Sequence, residues 1–198
     1  MSNNGNKAGL SSYYVAVTAA LLAMVVLLQG VLGSIKIGAV SISFTLVPIV
    51  LGATVVGVKE GAFLGFAFGV ITLVMGIVGA DGFTNILFSA HPVLTSLTCL
   101  IKGTAAGAAA GLVYKPFKVK HQLAGEFLAA FVAPTVNTAL FIVGALTMYD
   151  TIAEIGGANV MYFLFIGCAG VNYLLETAFN LACVPALSRV MEAVKKNK

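Results

Sequence analysis

The sequence is poor in charged residues. Only 9% of its 198 residues are Asp, Glu, Lys or Arg, whereas 60% are apolar, and its mean hydropathy is +1.03. A soluble domain carries about a quarter charged residues, so water cannot be the solvent around most of this chain. Backbone groups that face lipid must be paired within the protein, which leaves helices or closed barrels. Long apolar runs, rather than short alternating ones, favour helices.

Residues for several kinds of chemistry are also scarce. The three cysteines lie inside apolar runs, which argues against a disulfide framework or a zinc cluster. The sequence has no Gly-x-x-x-x-Gly-Lys-Ser/Thr run, no His-Glu-x-x-His, no Gly-x-Ser-x-Gly and no paired aspartates within an apolar run. The net charge of +4 comes mainly from short loops and chain ends, so it does not indicate nucleic-acid binding. We therefore expect no enzyme, and no metal or ATP bound by this chain.

Six apolar stretches predict an all-α membrane protein with six transmembrane helices, which form one integral membrane domain over residues 1–198. The stretches are 13–32, 44–56, 61–78, 92–113, 123–148 and 160–190. The second is short for a bilayer core of about 30 Å and contains Pro48. The segment 34–43 before it shows alternating apolar residues typical of extended structure. The segments 79–91 and 149–159 are expected to be loops.

The distribution of basic residues predicts the orientation in the membrane. With the N-terminus inside, the external segments hold one basic residue, Lys36, together with Asp81, Asp150 and Glu154. The cytoplasmic segments then hold Lys7, Lys59, Lys115, Lys118, Lys120, Arg189, Lys195, Lys196 and Lys198. Because basic residues are retained on the cytoplasmic side, both termini are predicted to be cytoplasmic.

Small residues recur at every fourth position on three of the predicted helices. The glycines at 57, 61, 65 and 69, and those at 103, 107 and 111, form stripes that let helices approach closely in lipid. Internal packing is the first interpretation of these stripes, and a moving interface is the alternative. The first helix carries Ala16, Ala19, Ala20 and Ala23 on one face. That face either packs within the subunit or docks a partner helix.

Polar residues share one face of the fourth predicted helix. Thr95 and Thr98 precede Lys102 by seven and four residues, and His91 lies at the helix start. Lys102 is about 15 Å from the start of its helix, close to the membrane midplane, at about 1.5 Å per residue. Ionisable residues at this depth usually serve function, so the face is predicted to line a pocket for a polar or anionic molecule. Alternatively, the threonines bond their own helix backbone and His91 only begins the helix.

The last two predicted helices carry polar residues that should face this pocket. Cys168, Asn172, Glu176 and Asn180 are spaced four apart, with Tyr173 beside them, and Asn137 lies between two threonines. A structural ion pair between Lys102 and Glu176 is the alternative, as are interhelical hydrogen bonds for Asn137 and Asn172. Lys36 is either a ligand contact or a solvated loop charge.

The chain resembles the S components, the substrate-binding subunits, of energy-coupling factor (ECF) vitamin transporters. The resemblance rests on six helices in about 200 residues, the alanine face of the first helix and the long outer segments. Residues 43–52 (SFTLVPIVLG) and 57–65 (GVKEGAFLG) are similar to the second and third helices of the family, in its pantothenate, riboflavin and folate branch.

The resemblance implies a function and a set of partners. An S component captures a vitamin from outside the cell, associates with a transmembrane coupling subunit and two cytoplasmic ATPases, and is thought to topple to release its substrate. ATP is used by those partners, so no cofactor is expected here. The resemblance places docking on Ala16, Ala19, Ala20 and Ala23. It places substrate binding on Lys36, His91, Thr95, Thr98, Lys102, Asn137, Asn172 and Tyr173.

The lysine at the midplane favours a substrate with a carboxylate, and pantothenate is therefore the first expectation. Riboflavin or folate is the alternative substrate. A structural membrane protein without a transport role is the alternative from another class, in which the polar stripes only lock helices together.

Overall fold

The computed structural model describes residues 4–32, 36–37, 40–41, 44–157 and 159–196, with side chains for 12–31, 44–157 and 159–192. The first part of the chain forms α1 (Asn4–Leu27), which continues as a π-helical segment (Leu28–Leu32), then β1 (Lys36–Ile37), β2 (Val40–Ser41), α2 (Leu46–Val55), α3 (Val58–Ile77) and α4 (Gly82–Ala90). The second part forms α5 (Pro92–Tyr114), a 3-10 turn (Lys115–Phe117), α6 (Gln122–Leu146), α7 (Tyr149–Gly156), α8 (Val160–Tyr162), a π-helical segment (Phe163–Gly170) and α9 (Val171–Lys196).

Within these ranges, five helical segments are long and apolar enough to cross a membrane. They are Ser12–Val31, Val58–Ile77, Pro92–Phe117, Gln122–Leu146 and Val160–Glu192. The remaining predicted crossing is the ten-residue helix α2, which extends only about 15 Å at about 1.5 Å per residue. The all-helical membrane architecture is therefore confirmed, whereas the sixth crossing stays a prediction.

Helix α2 begins inside the helical bundle. The Thr45 hydroxyl, just before α2, donates to Gln29 Oε1 at 3.0 Å. The neighbouring Phe44 ring packs against Phe179 of α9, with 4.3 Å between the ring centroids. Phe44 and Thr45, just before α2, already contact spanning helices. A short α2 is therefore sufficient to complete the interior beside α1 and α3.

The outer segments differ from the sequence-based expectation. The prediction that 79–91 and 149–159 are loops was wrong, because they contain α4 and α7. Each short helix buries its apolar side in one cluster, to which α4 contributes Phe83 and Leu87 and α7 contributes Ile152. The expected extended structure before α2 is present as the antiparallel strands β1 and β2, in which Lys36 lies opposite Ser41.

Helices α3 and α5 pack against each other through their glycines. A side chain on Gly65 would overlap the Gly103 carbonyl, and one on Gly61 would lie 2.6 Å from the carbonyl oxygen of Gly107. The two helices are therefore antiparallel, and only glycine permits this backbone contact. The prediction that the glycine stripes serve internal packing is confirmed for these positions.

The bundle separates charge between its two ends. Val58 at the start of α3 meets Gly111 near the end of α5, so the exposed Lys59 lies at the same end as the exposed Lys115, Lys118 and Lys120. The end of α9 joins them, since Ser188 donates to the buried carboxylate of Glu126 in α6. We call this the basic end. Asp81, Asp150 and Glu154 lie at the opposite, acidic end, and this separation agrees with the predicted orientation.

Candidate functional site

A polar cavity lies between two apolar clusters of the bundle. Phe68 belongs to the cluster that extends to the basic end, and Phe83 and Cys168 belong to the cluster at the acidic end. The cavity contains about 570 Å³ of atom-free space, including its opening. It is lined by Gln29, Phe68, Thr72, Asp81, Phe83, Thr84, Lys102, Asn137, Thr138, Phe141, Cys168, Ala169, Asn172 and Glu176. So many polar side chains within a membrane bundle indicate a binding site.

Lys102 brings the positive charge into this cavity from α5. Its ammonium nitrogen lies 5.8 Å from the ring centroid of Phe68 and 5.4 Å from that of Phe141. The negative faces of two aromatic rings stabilise a cation at such distances, by about 0.5–2 kcal/mol. The rings therefore hold the ammonium group within the cavity, where it can bind an anionic group.

The predicted polar faces of the last helices meet Lys102 in the same cavity. Asn137 projects from the middle of α6, and Asn172 and Glu176 project from α9. Asn137 is buried, and its Oδ1 has no hydrogen-bond partner among the described residues. The structure thus brings together Lys102, Asn137 and Asn172 among the predicted site residues. Glu176 lines the cavity beside them.

A hydrogen-bonded group on α3 and on the π-helical segment after α1 forms another wall, which was not predicted from the sequence. Gln29 Nε2 donates to the Thr72 hydroxyl at 3.3 Å, and that hydroxyl donates to the Phe68 carbonyl at 2.9 Å. Gln29 and Thr72 are single polar residues within apolar helices, and this was the only signal in their sequence. Neither residue belongs to a repeated spacing like those on α5 and α9.

Asp81 and Thr84 close the cavity toward the acidic end. The Thr84 hydroxyl donates to Asp81 Oδ2 at 2.6 Å, and both residues are buried. Asp81 was predicted only as an external charge, because a loop was expected where α4 begins. Its burial depends on the contact between α4 and α3, which no local pattern predicts.

The two predicted threonines lie in a smaller cavity beside the first, which Lys102 also lines. Thr95 donates to Met148 Sδ at 3.4 Å. Thr98 donates to the Leu94 carbonyl of its own helix at 2.8 Å, as the alternative interpretation expected. They pack next to the main cavity instead of lining it.

Two other predicted site residues, His91 and Tyr173, are not among the described residues that line either cavity. His91 is the residue at which α4 ends and α5 begins, and its amide bonds the Leu87 carbonyl. The Tyr173 hydroxyl lies 3.1 Å from that of Thr135 and joins α9 to α6. Lys36 has a described backbone in β1, but its side chain lies outside the described residues. Their contact with a substrate stays a prediction.

The alanine face of α1 is uncovered in the structure. Ala16, Ala19, Ala20 and Ala23 are all exposed, and α1 is the least buried of the spanning segments. An open groove beside this face is lined by α1 residues, including Ala19, and by Val56, Lys59, Glu60 and Phe63 of the α2–α3 region. The four alanines therefore do not pack within the described part of the subunit.

Comparison with known proteins agrees with this arrangement of cavity and exposed face. The family model described as "ECF transporter, substrate-specific component" matches residues 14–188. The chain belongs to this family. Its members are components of a transporter and not enzymes, and the protein is a multi-pass protein of the cell membrane. Membership implies a small-molecule substrate and an ECF module as partner.

One similar protein has a described substrate. The pantothenic acid transporter PanT of Lactococcus lactis subsp. cremoris (strain MG1363) is 24% identical over 156 residues, which cover 72% of this chain and 75% of that protein. The shared region is long enough to include most of the spanning helices.

Proposed function

We propose that this ECF substrate-specific component is the high-affinity binding subunit of an ATP-driven importer of a water-soluble vitamin, and that the vitamin is pantothenate. The observation that carries the proposal is the ammonium group of Lys102, which lies between two phenyl rings in a polar cavity. The similarity to PanT supports the same substrate. Pantothenate carries one carboxylate, an amide and two hydroxyl groups. Its carboxylate would meet Lys102, and its donor groups would meet the amides and the carboxylates of Asp81 and Glu176 that line the same cavity.

The cavity would bind such a molecule by replacing its hydration shell with fixed partners. Lys102 would pair with the carboxylate, and a charge-assisted hydrogen bond of this kind contributes about 1.5–3 kcal/mol. Asn137 and Asn172 would pair with the amide. Phe68, Phe83 and Phe141 would contact the apolar part of the molecule and exclude water.

The exposed alanine face of α1 would dock the coupling subunit of the ECF module. A flat strip of alanines lets a partner helix approach closely in lipid, and the adjacent groove offers Phe63 and Lys59 at its edge. The two ATPases of the module would supply the energy, so the chain itself would need no cofactor. Residues 1–198 would act as one membrane domain with six crossings and both termini in the cytoplasm.

Thermal unfolding of the purified, detergent-solubilised protein in the presence of separate B vitamins tests the proposal. A ligand that binds only the folded state, at a thousandfold excess over its dissociation constant, adds about 4 kcal/mol of stability. We expect pantothenate to raise the melting temperature and riboflavin and folate to leave it unchanged.

The other outcomes separate the class from the substrate. A shift with riboflavin or folate alone would retain a vitamin-binding subunit and reject pantothenate. If a folded protein showed no shift with any vitamin, the polar cavity would be a structural feature and the proposed function would be wrong.

A further inference from the structure

We propose that Asp81 is a specificity-determining residue whose carboxylate accepts a hydrogen bond from a hydroxyl group of the substrate, at the acidic end of the cavity that Lys102 also lines. This inference rests on the proposed function and narrows its substrate class to an anion that carries hydroxyl groups at the end remote from its carboxylate.

Asp81 has one carboxylate oxygen available for a ligand. It lines the cavity while only 8% of its surface is exposed. Oδ2 accepts the Thr84 hydroxyl, whereas the buried Oδ1 has no hydrogen-bond partner in the part of the chain that the structure describes. A buried carboxylate oxygen without a partner is strongly unfavourable, and a ligand donor in the cavity would remove this penalty.

The backbone around Asp81 fixes the position of this oxygen. Gly79 turns the chain after α3 with a φ of +79°, a conformation that favours glycine. The Asp81 amide then donates to the Met75 carbonyl at 3.0 Å, and Asn85 Nδ2 donates to the Gly76 carbonyl at 2.8 Å. Asp81 precedes α4, yet its carboxylate does not cap the α4 amides. The side chain is instead held against Thr84 at the cavity.

The backbones of Asp81 and Lys102 lie at different depths along the helix axis, so a bound ligand would have a defined orientation. In the α3–α5 contact Gly65 lies opposite Gly103 and Gly69 opposite Cys99, so Met75, which holds Asp81, lies opposite about residue 93. The backbones of Asp81 and Lys102 are therefore separated by about 13 Å along the helix axis, at about 1.5 Å per residue. The Lys102 side chain covers part of this distance, because it lines the smaller cavity together with Thr84. A substrate carboxylate is attracted to Lys102 and repelled by Asp81 and Glu176, so the group that meets Asp81 must be neutral and must carry a donor.

Asn137 supports this assignment from the opposite wall. Its Oδ1 is a second buried acceptor without a hydrogen-bond partner among the residues that the structure describes, and Asn137 lines the same cavity. Within this described part, the cavity thus combines the Lys102 ammonium group with the carboxylates of Asp81 and Glu176, and it offers acceptor oxygens on Asp81 and Asn137. A ligand that matches this set has one anionic group and at least two hydroxyl or amide donors.

The binding of two ligands to several protein variants tests the role of Asp81. Dissociation constants are measured by titration calorimetry for pantothenate and for an analogue in which both hydroxyls are replaced by hydrogen. The proteins are wild type, Asp81→Ala, Asp81→Asn and, as a control, Asp150→Ala, which removes an exposed acid from the same end. We expect the wild type and the control to prefer pantothenate by about 10–100-fold, as for loss of a hydrogen bond to a charged group. In Asp81→Ala the preference should fall to near one.

This comparison distinguishes recognition from a structural role. If Asp81 only held α4 in place, Asp81→Ala would weaken both ligands equally and the preference would persist, which would overturn the inference. Asp81→Asn keeps the size and a Thr84 acceptor. If Asp81→Ala does not fold, Asp81→Asn provides the same comparison. We expect its preference for pantothenate over the analogue to fall several-fold. Normal pantothenate binding by both variants would reject this inference alone, whereas no binding by the wild type would reject the proposed function and the inference with it.

Discussion

Lys102 is the residue on which the choice of substrate depends. Its ammonium group lies against the rings of Phe68 and Phe141 inside the bundle. Placing a lysine at membrane depth is unfavourable unless it has partners, and aromatic rings only partly replace water around it. An anionic ligand would complete its surroundings, and that is the physical reason to assign it to the carboxylate of pantothenate.

Replacing Lys102 with methionine separates a binding role from a structural one. Lys102→Met keeps the length of the side chain and its contact with the rings but removes the charge. We expect pantothenate to bind about 10–100-fold more weakly, with an unchanged melting temperature of the ligand-free protein. Titration calorimetry and thermal unfolding measure the two effects, and Lys115→Met, at an exposed lysine, is the control.

An unfolded or aggregated Lys102→Met protein would contradict the binding role. It would indicate that Lys102 and Glu176 neutralise each other, and the double variant Lys102→Met with Glu176→Gln should then recover folding. Recovery in the double variant together with failure of the single variant would establish the ion pair.

The packing of α3 on α5 builds one side of the cavity. The glycine contacts fix the register of the two helices, which places Phe68 and Thr72 of α3 beside Lys102 of α5. A side chain within this contact would push the helices apart and open the cavity to lipid.

Gly65→Leu should therefore destabilise the protein by about 1–3 kcal/mol, as overpacking of a close contact does. Thermal unfolding in detergent should show a lower melting temperature and weaker pantothenate binding. Gly30→Ala is the control, because a Cβ at Gly30 would meet no atom of the described residues within 4 Å. Equal melting temperatures for Gly65→Leu and the wild type would contradict the assigned register.

Helices and polar stripes were predictable from the sequence because they depend on local periodicity. The four-residue spacing of glycines predicted close internal packing of α3 and of α5, and the stripe of Cys168, Asn172, Glu176 and Asn180 predicted a polar face on the last helix. Asp81 was not recognised, since its burial requires α4 to fold over the end of α3. The short α4 and α7 contain Gly, aromatic and polar residues that are also typical of loops, and tertiary packing decides between the two.

The separation of basic and acidic ends predicts the orientation of the whole protein in the membrane. Lys59, Lys115, Lys118 and Lys120 are exposed at one end, and Asp150 and Glu154 are exposed at the other. Basic residues are retained in the cytoplasm, so the polar cavity would open toward the outside, where a vitamin is captured.

Cysteine labelling in intact cells tests this orientation. Cys99 and Cys168 are buried, and Cys183 can be replaced by alanine to give a quiet background. We expect a membrane-impermeant maleimide to label Glu154→Cys from outside and Lys118→Cys only after the cells are opened. Labelling of Lys118→Cys alone in intact cells would reverse the predicted orientation.

We propose that this chain delivers a vitamin to an ATP-driven module, and uptake into proteoliposomes measures this delivery. The vesicles contain the chain with a coupling subunit and two ATPases from the same organism, and labelled pantothenate is supplied on the side where the cavity opens. We predict accumulation that requires ATP, the module and this chain together. Accumulation by the chain alone, or by the module without the chain, would contradict the account.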